Sequence, residues 1–255
     1  MKIFIAGCGR NGTKFMSQVF SLLTQIPSYH EMPPYCIGET SKDVNNNEVI
    51  SDKTRYVFQQ KIAKIKHYSK NGDYFESNNM FIKSFIWPVM ANFDDVYCIY
   101  LHRNLMDTFL SHADRGWKFG YDWFLQSHWK KCLLRTSKPM LYYENIMWNW
   151  FEIRQRFYHW KDQFVKTYDF DFKKINDLKE YYKLFEHFKI PYKIIDKLPI
   201  FNKSFYNRPE ERLNKSISFN YEIIMKETNK HWEKQGIEWV FDSDKKDMKT
   251  YGVIK

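Results

Sequence analysis

The chain has 255 residues, 44% hydrophobic and 19% aromatic, which is ample for a packed core, and no apolar run approaches the length of a membrane span. Its formal charge of +10 accompanies a surplus of Lys over Arg and plentiful Asn, Ile, Tyr and Phe, as AT-rich coding produces. Without a basic stripe or a base-stacking motif, that charge favours anionic small molecules and gives no case for nucleic acid.

In chain order, residues 2–6 read as a buried strand. Phe15, Met16, Val19, Phe20, Leu22 and Leu23 then recur at helical spacing up to Pro27. The polar segment "GETSKDVNNNEV" (38–49) reads as a surface loop. A helix is expected at 54–69, with Phe58, Ile62 and Ile65 on one side. The run "VYCIYL" (96–101) is apolar on both alternating faces, as a strand covered by helices on each side requires. Two further helices follow. The Trp- and Phe-rich stretch 147–160 suits core plus a covering lid, and 178–188 carries Leu178, Tyr181, Tyr182, Phe185 and Phe188 on one stripe. No repeat and no linker-like shift in composition interrupts this order. The expectation is a single α/β domain over 1–255, three-layered, with a mostly parallel central sheet flanked by helices. The cysteines Cys8, Cys36, Cys98 and Cys132 show neither C-x-x-C nor metal-ligand spacing. With a start that runs straight into "KIFIAG", they fit reduced thiols and a cytoplasmic location.

Two constellations carry the chemistry. "GCGRNGTK", from Gly7 to Lys14, lies between the first strand and the first helix. It has the G-x-x-x-x-G frame of a nucleotide phosphate loop, but Thr13-Lys14 stands where a Walker loop has Lys and then Ser/Thr. Glycines allow close backbone approach, and the amides of Asn11, Gly12, Thr13 and Lys14 would point at an anion where the helix dipole favours one. Arg10 and Lys14 add positive charge that opposes the dipole unless an anion joins them. The second constellation is "IYLHRNLMDTFLSH", in which Arg103 ends a strand and Ser111 lies on the following helix. A planar guanidinium fork and a hydroxyl can close on one phosphate. Two anion sites on one sheet edge suit a nucleotide phosphorylated at both its 5′ and 3′ positions.

Together these motifs resemble the sulfotransferase superfamily that uses 3′-phosphoadenosine 5′-phosphosulfate (PAPS). Its members carry a loop like "GxxRSGTT", matched by "GCGRNGTK", and a later strand end like "hLhRdPrDvxxSxxh", matched by "IYLHRNLMDTFLSH". The segment "YFESNNMFIKSF" (74–85) looks like one that bacterial and Golgi-type members have before that strand. The resemblance spans residues 2–115. It implies a P-loop NTPase-like sulfotransferase fold, with PAPS as donor and no metal. The loop residues Arg10 to Lys14 would hold the 5′-phosphosulfate, and Arg103 and Ser111 the 3′-phosphate. The acceptor would bear a hydroxyl, on a glycan or a small metabolite. Departures are Asn104-Leu105 in place of an acidic-Pro pair and Lys14 in place of a second loop hydroxyl.

On that resemblance, Arg10 would stabilise the departing phosphate with Lys14 assisting. Phe85 falls where cytosolic members have their histidine base, so that role does not carry over. Golgi and bacterial members use a glutamate after the first helix, which implies Glu31 as base with His30 beside it, on a loop returning to the active edge. Glu76 is the second candidate, with binding of acceptor hydroxyls or capping as its other roles. Lys83 reads either as a contact to the sulfuryl oxygens or as a solvated lysine at a strand end. His102 reads as a packed strand residue, and the segment 200–216 as a cover for the nucleotide. Two other classes remain open: a nucleotide-type kinase, weakened by the missing Lys-Ser/Thr pair and by Asp94-Asp95 lying at the wrong end of their strand, and a nucleotide-binding module without catalysis.

Overall fold

The computed structural model describes residues 1–9, 11–69, 71–113, 125–137, 140 and 142–199. Arg10 and the expected nucleotide cover at 200–216 lie outside the described residues. Five strands form one all-parallel sheet in the order β2-β3-β1-β4-β5, with β1 Lys2–Ala6, β2 Ser28–His30, β3 Tyr74–Ser77, β4 Val96–His102 and β5 Lys166–Asp171. The helices are α1 Thr13–Leu23, α2 Glu39–Asn46, α3 Asp52–Tyr68, α4 Ile86–Met90, α5 Leu105–Ala113, α6 Tyr142–Trp160 and α7 Leu178–Phe188, and a single π turn spans Phe81–Phe85.

Strand alternation divides the core into two layers. Ile3, Ile5, Phe75, Ile99, Leu101 and Phe170 face α1 and α7, where Phe20 stacks on Phe75 at 3.8 Å. Phe4, Ala6, Tyr74, Cys98 and Tyr100 face α3, the π turn, α4 and α6, where Phe4 stacks on Phe81 at 4.5 Å. The three-layer α/β architecture is therefore the one expected. At the amino-terminal edge, Asp95 pairs with the chain's own terminal ammonium at 2.7 Å and with Lys2 at 3.5 Å. All four cysteines are buried and none is disulfide-bonded. Among the described residues, no helix is long and apolar enough to cross a membrane.

The expected surface loop at 38–49 is instead largely the helix α2. Thr40, Ser41 and Asn45 on one face of it are buried, while Glu39 and Lys42 face solvent. Asn45, 1% exposed, donates to Ser41 O (2.7 Å) and Lys83 O (3.0 Å) and accepts from Arg156 Nη2 at 2.8 Å. Composition read Asn45 as solvent-facing, whereas the fold uses it as an internal pin.

Connectivity selects one crevice. The chain leaves β1 toward β2 on one side of the sheet and leaves β4 toward β5 on the other. The carboxyl ends of these adjacent strands form a topological switch point, the position where open parallel sheets place their ligands. The loop starting at Gly7 and the turn at Arg103 both emerge there.

Candidate active site

The loop is bound closely to the end of β4. A Cβ on Gly7 would lie 3.1 Å from Leu101 O. Asn11, 2% exposed, donates from Nδ2 to the same carbonyl at 3.1 Å and accepts from Thr108 Oγ1 at 3.3 Å. Its side chain is thus committed to joining the loop to β4 and α5. Gly12 adopts a left-handed backbone (φ 78°), and a Cβ there would meet Ile175 Cδ1 at 2.4 Å and Phe172 Cε2 at 2.8 Å. Helix α1 then starts with no side-chain cap and no acidic residue in its first turn, so the helix itself supplies no counter-charge to its positive end. Thr13 is buried at that start, and Lys14 is exposed.

Arg103 leaves β4 beside the same loop. Its guanidinium carbon lies 4.3 Å from the centre of the Phe172 ring, and its carbonyl accepts from Trp150 Nε1 at 2.8 Å. Phe172 is also the ring that crowds Gly12, so one side chain lies close to both the end of the loop and Arg103. Asn104 starts α5 in place of an acidic-Pro pair: its Oδ1 accepts from Asp107 N at 3.3 Å and its carbonyl from Thr108 Oγ1 at 2.9 Å. Thr108 and His112, four residues apart, turn one face of α5 to the loop. Ser111, half-buried, lies on the flank of that face. His102 packs its ring 5.8 Å from that of Trp150.

No family model matches the chain, and no curated protein or solved structure matches it either.

The two edge-side strands deliver the acid–base candidates. His30 is the last residue of β2 and so belongs to a strand, and its Nδ1 lies 3.0 Å from Ser77 Oγ and 3.1 Å from Ser77 O. Glu31 follows with a left-handed backbone (φ 49°), and Asn79 Nδ2 donates to its Oε1 at 3.0 Å. The same Asn79 nitrogen is 3.7 Å, and His112 Cε1 is 3.6 Å, from where a Cβ on Gly9 would sit. A single amide therefore bridges Glu31 to the loop.

Lys83 is 1% exposed and sits within the π turn, so it is neither solvated nor at a strand end. Burial pushes its ammonium down to about 8, against the opposing pull of Cys8 and Glu31. Burial likewise pushes the Cys8 thiol up to about 12, which leaves it inert as a nucleophile.

Glu76 has a different environment. It is fully buried, is paired with Lys61 Nζ at 2.6 Å, and accepts from Tyr74 Oη (2.7 Å), Asn78 Nδ2 (2.8 Å) and Met32 N (3.1 Å). Four donors surround its two oxygens, which commits the side chain to a structural partnership with Lys61.

Sequence reasoning did not find Asn79, His112 or Phe172. Asn79 and His112 are single polar residues without a spacing signature, and Phe172 reaches the loop only through the sheet order. Lys83 did leave a signal, as a lone cation inside the apolar run "MFIKSFIW".

Proposed function

We propose that the chain is a sulfotransferase that moves the sulfuryl group of PAPS to a hydroxyl acceptor. The observation that carries this reading is the shared ring of Phe172, which lies against both Gly12 and Arg103. An uncapped helix start and a strand-end guanidinium converge at the switch point of the sheet, as a donor with phosphate groups at two positions requires.

In this reading the amides of Asn11, Gly12, Thr13 and Lys14, with the charges of Arg10 and Lys14, hold the 5′-phosphosulfate. Arg103 and Ser111 hold the 3′-phosphate, and buried Lys83 adds positive potential beside the loop. Glu31 takes the proton of the acceptor hydroxyl while its oxygen bonds to sulfur. The bond from sulfur to the 5′-phosphate oxygen breaks, and its electron pair leaves on that phosphate, where the loop's cations neutralise it. Positioning and electrostatics supply most of the acceleration. Nearness of Glu31 to the loop favours catalysis over a purely binding module.

The test follows adenosine 3′,5′-bisphosphate release from PAPS in the presence of hydroxyl compounds. Turnover should fall roughly 10²–10⁴-fold in Glu31→Gln, with bisphosphate affinity retained. Undiminished turnover in that variant would move the base to His30.

A further inference from the structure

Between Asp122 and Glu144 the sequence holds no acidic residue, yet it carries His128, Lys130, Lys131, Arg135 and Lys138. The described part of this run, 125–137, folds into a closed turn. Thr136 N donates to Ser127 O at 2.8 Å and Thr136 Oγ1 to Ser127 Oγ at 2.6 Å. His128 and Arg135, each one residue inside that pair, are thereby brought near each other. Helix α2 closes on the turn from the side: Lys131 N donates to Asn45 O at 2.8 Å, and Lys130 N to Asn46 Oδ1 at 3.3 Å. Asn46 in turn donates from Nδ2 to Lys42 O at 3.2 Å, so one side chain joins Lys42 to the turn. The charges of Arg135 and Lys42 both act on the His128 imidazole and, after burial, hold it below its ordinary value. The His128 Nδ1 is closed off from solvent, which leaves Nε2 as the nitrogen on the open side of this half-buried ring.

The surroundings supply no counter-charge. The carboxylates of α2 are engaged elsewhere, Glu39 by Lys53 and Asp43 by Ser51. Glu152 is turned inward, where it accepts from Leu133 N and Leu134 N and pairs with Arg156. Among the described residues, Lys42, Lys130, Lys131 and Arg135 form no ion pair. The same buried Glu152 and Arg156 fix the backbone of the turn, so its cations stand on a preorganised support. Like charges gathered in this way repel one another, and an anion among them removes that cost. We infer that the turn and Lys42 form a second oxyanion site, which takes a group of the phosphate or sulfate class through Arg135, His128 and Lys42. A guanidinium fork, a ring nitrogen and an ammonium suit the several oxygens of a tetrahedral anion better than the two of a planar carboxylate. None of these residues belongs to the loop cluster, so the site goes beyond the sulfuryl-transfer reading and stands without it.

The full chain with labelled histidines is titrated with inorganic phosphate and, separately, with glycerol phosphate. Nuclear magnetic resonance follows the ring signals of His128, assigned by their loss in His128→Gln, with sodium chloride at matched ionic strength as control. Both phosphates should move the His128 signals saturably, and chloride should not. Arg135→Leu should weaken binding about tenfold or more, the worth of a charge-assisted hydrogen bond, and Lys42→Leu should weaken it as well. Arg103→Ala, at the loop, should leave it unchanged. Tighter binding of glycerol phosphate assigns the site to an esterified group, and equal or weaker binding to the free ion; either upholds the site. No saturable shift, an equal shift with chloride, undiminished binding in Arg135→Leu, or loss of binding in Arg103→Ala overturns the inference. Lys42 and Arg135 are both exposed, so neither variant opens the core. Should Arg135→Leu fail to fold, the comparison of phosphate with chloride on the native protein decides.

Discussion

At Gly12 a left-handed backbone coincides with two side chains closer than any Cβ tolerates. Gly12→Ala should destabilise the protein by about 2 kcal/mol or more through backbone strain and overpacking, read by urea denaturation. It should also weaken bisphosphate binding, because Phe172 must move from under Arg103. The two glutamates separate in the same assay. Glu76→Gln leaves Lys61 buried beside a neutral amide and should cost on the order of 3–5 kcal/mol, whereas half-buried Glu31→Gln should leave stability nearly unchanged and remove turnover. Lys83 gives a pH signature. Its folded-state value of about 8 lies below the ordinary 10.5, so between pH 8 and pH 10.5 the unfolded chain holds a proton that the folded chain does not. The stability contributed by this group is present above that window and lost as pH falls through 8. Relative to Lys83→Met, native stability should rise across the window by about 1.4 kcal/mol per pH unit. Parallel pH dependences of the two proteins would place the Lys83 amine in water.

Elements were legible in the sequence where hydrophobic periodicity set them. The helices α1, α3, α6 and α7 and the strands β1 and β4 bury regular apolar stripes or runs. The short strands β2 (SYH), β3 (YFES) and β5 (KTYDFD) carry no such run. β2 and β5 are half-buried edges, and β3 turns a carboxylate into the core, so pairing with neighbours decides them and local pattern does not. Helix α2 was hidden for the reason its Asn45 shows: its burial is polar. In α6, the pair Glu152 and Arg156 has the i, i+4 spacing of an ordinary surface ion pair, yet both are buried. Arg156 binds Glu152 Oε1 at 2.7 Å, Asn45 Oδ1 at 2.8 Å, Lys83 O at 3.1 Å and Lys131 O at 3.2 Å. Glu152 accepts from Leu133 N and Leu134 N at 2.9 and 2.8 Å. This hub ties α6 to α2, the π turn and the segment 125–137. Arg156→Met should therefore cost about 3–5 kcal/mol by leaving the Glu152 charge unpaired, measured by denaturation. A loss below about 1 kcal/mol, the range of exposed pairs, would show the hub to be solvated.

For the molecule as a whole, alternation of strands and helices announced a parallel α/β sheet, but strand order was out of reach because it depends on non-local pairing. That order gives the site its coherence. Residues from after β1, β2, β3, β4 and β5 (Gly12, Glu31, Asn79, Arg103 and Phe172) meet at one edge although they span much of the chain. The loop and Arg103 were legible as separate motifs, and Glu31 through the family resemblance. Asn79 and Phe172, the residues that join them, were not, because their significance is purely spatial. The central claim is that this edge holds a nucleotide with phosphate groups at two positions. Isothermal titration of the full chain with adenosine 3′,5′-bisphosphate, and separately with ATP with and without magnesium, tests it most directly. The account predicts tight bisphosphate binding without metal, weakened roughly 10–100-fold by Arg103→Ala, and only weak ATP binding in either condition. Tight magnesium-dependent ATP binding alongside weak bisphosphate binding would contradict it.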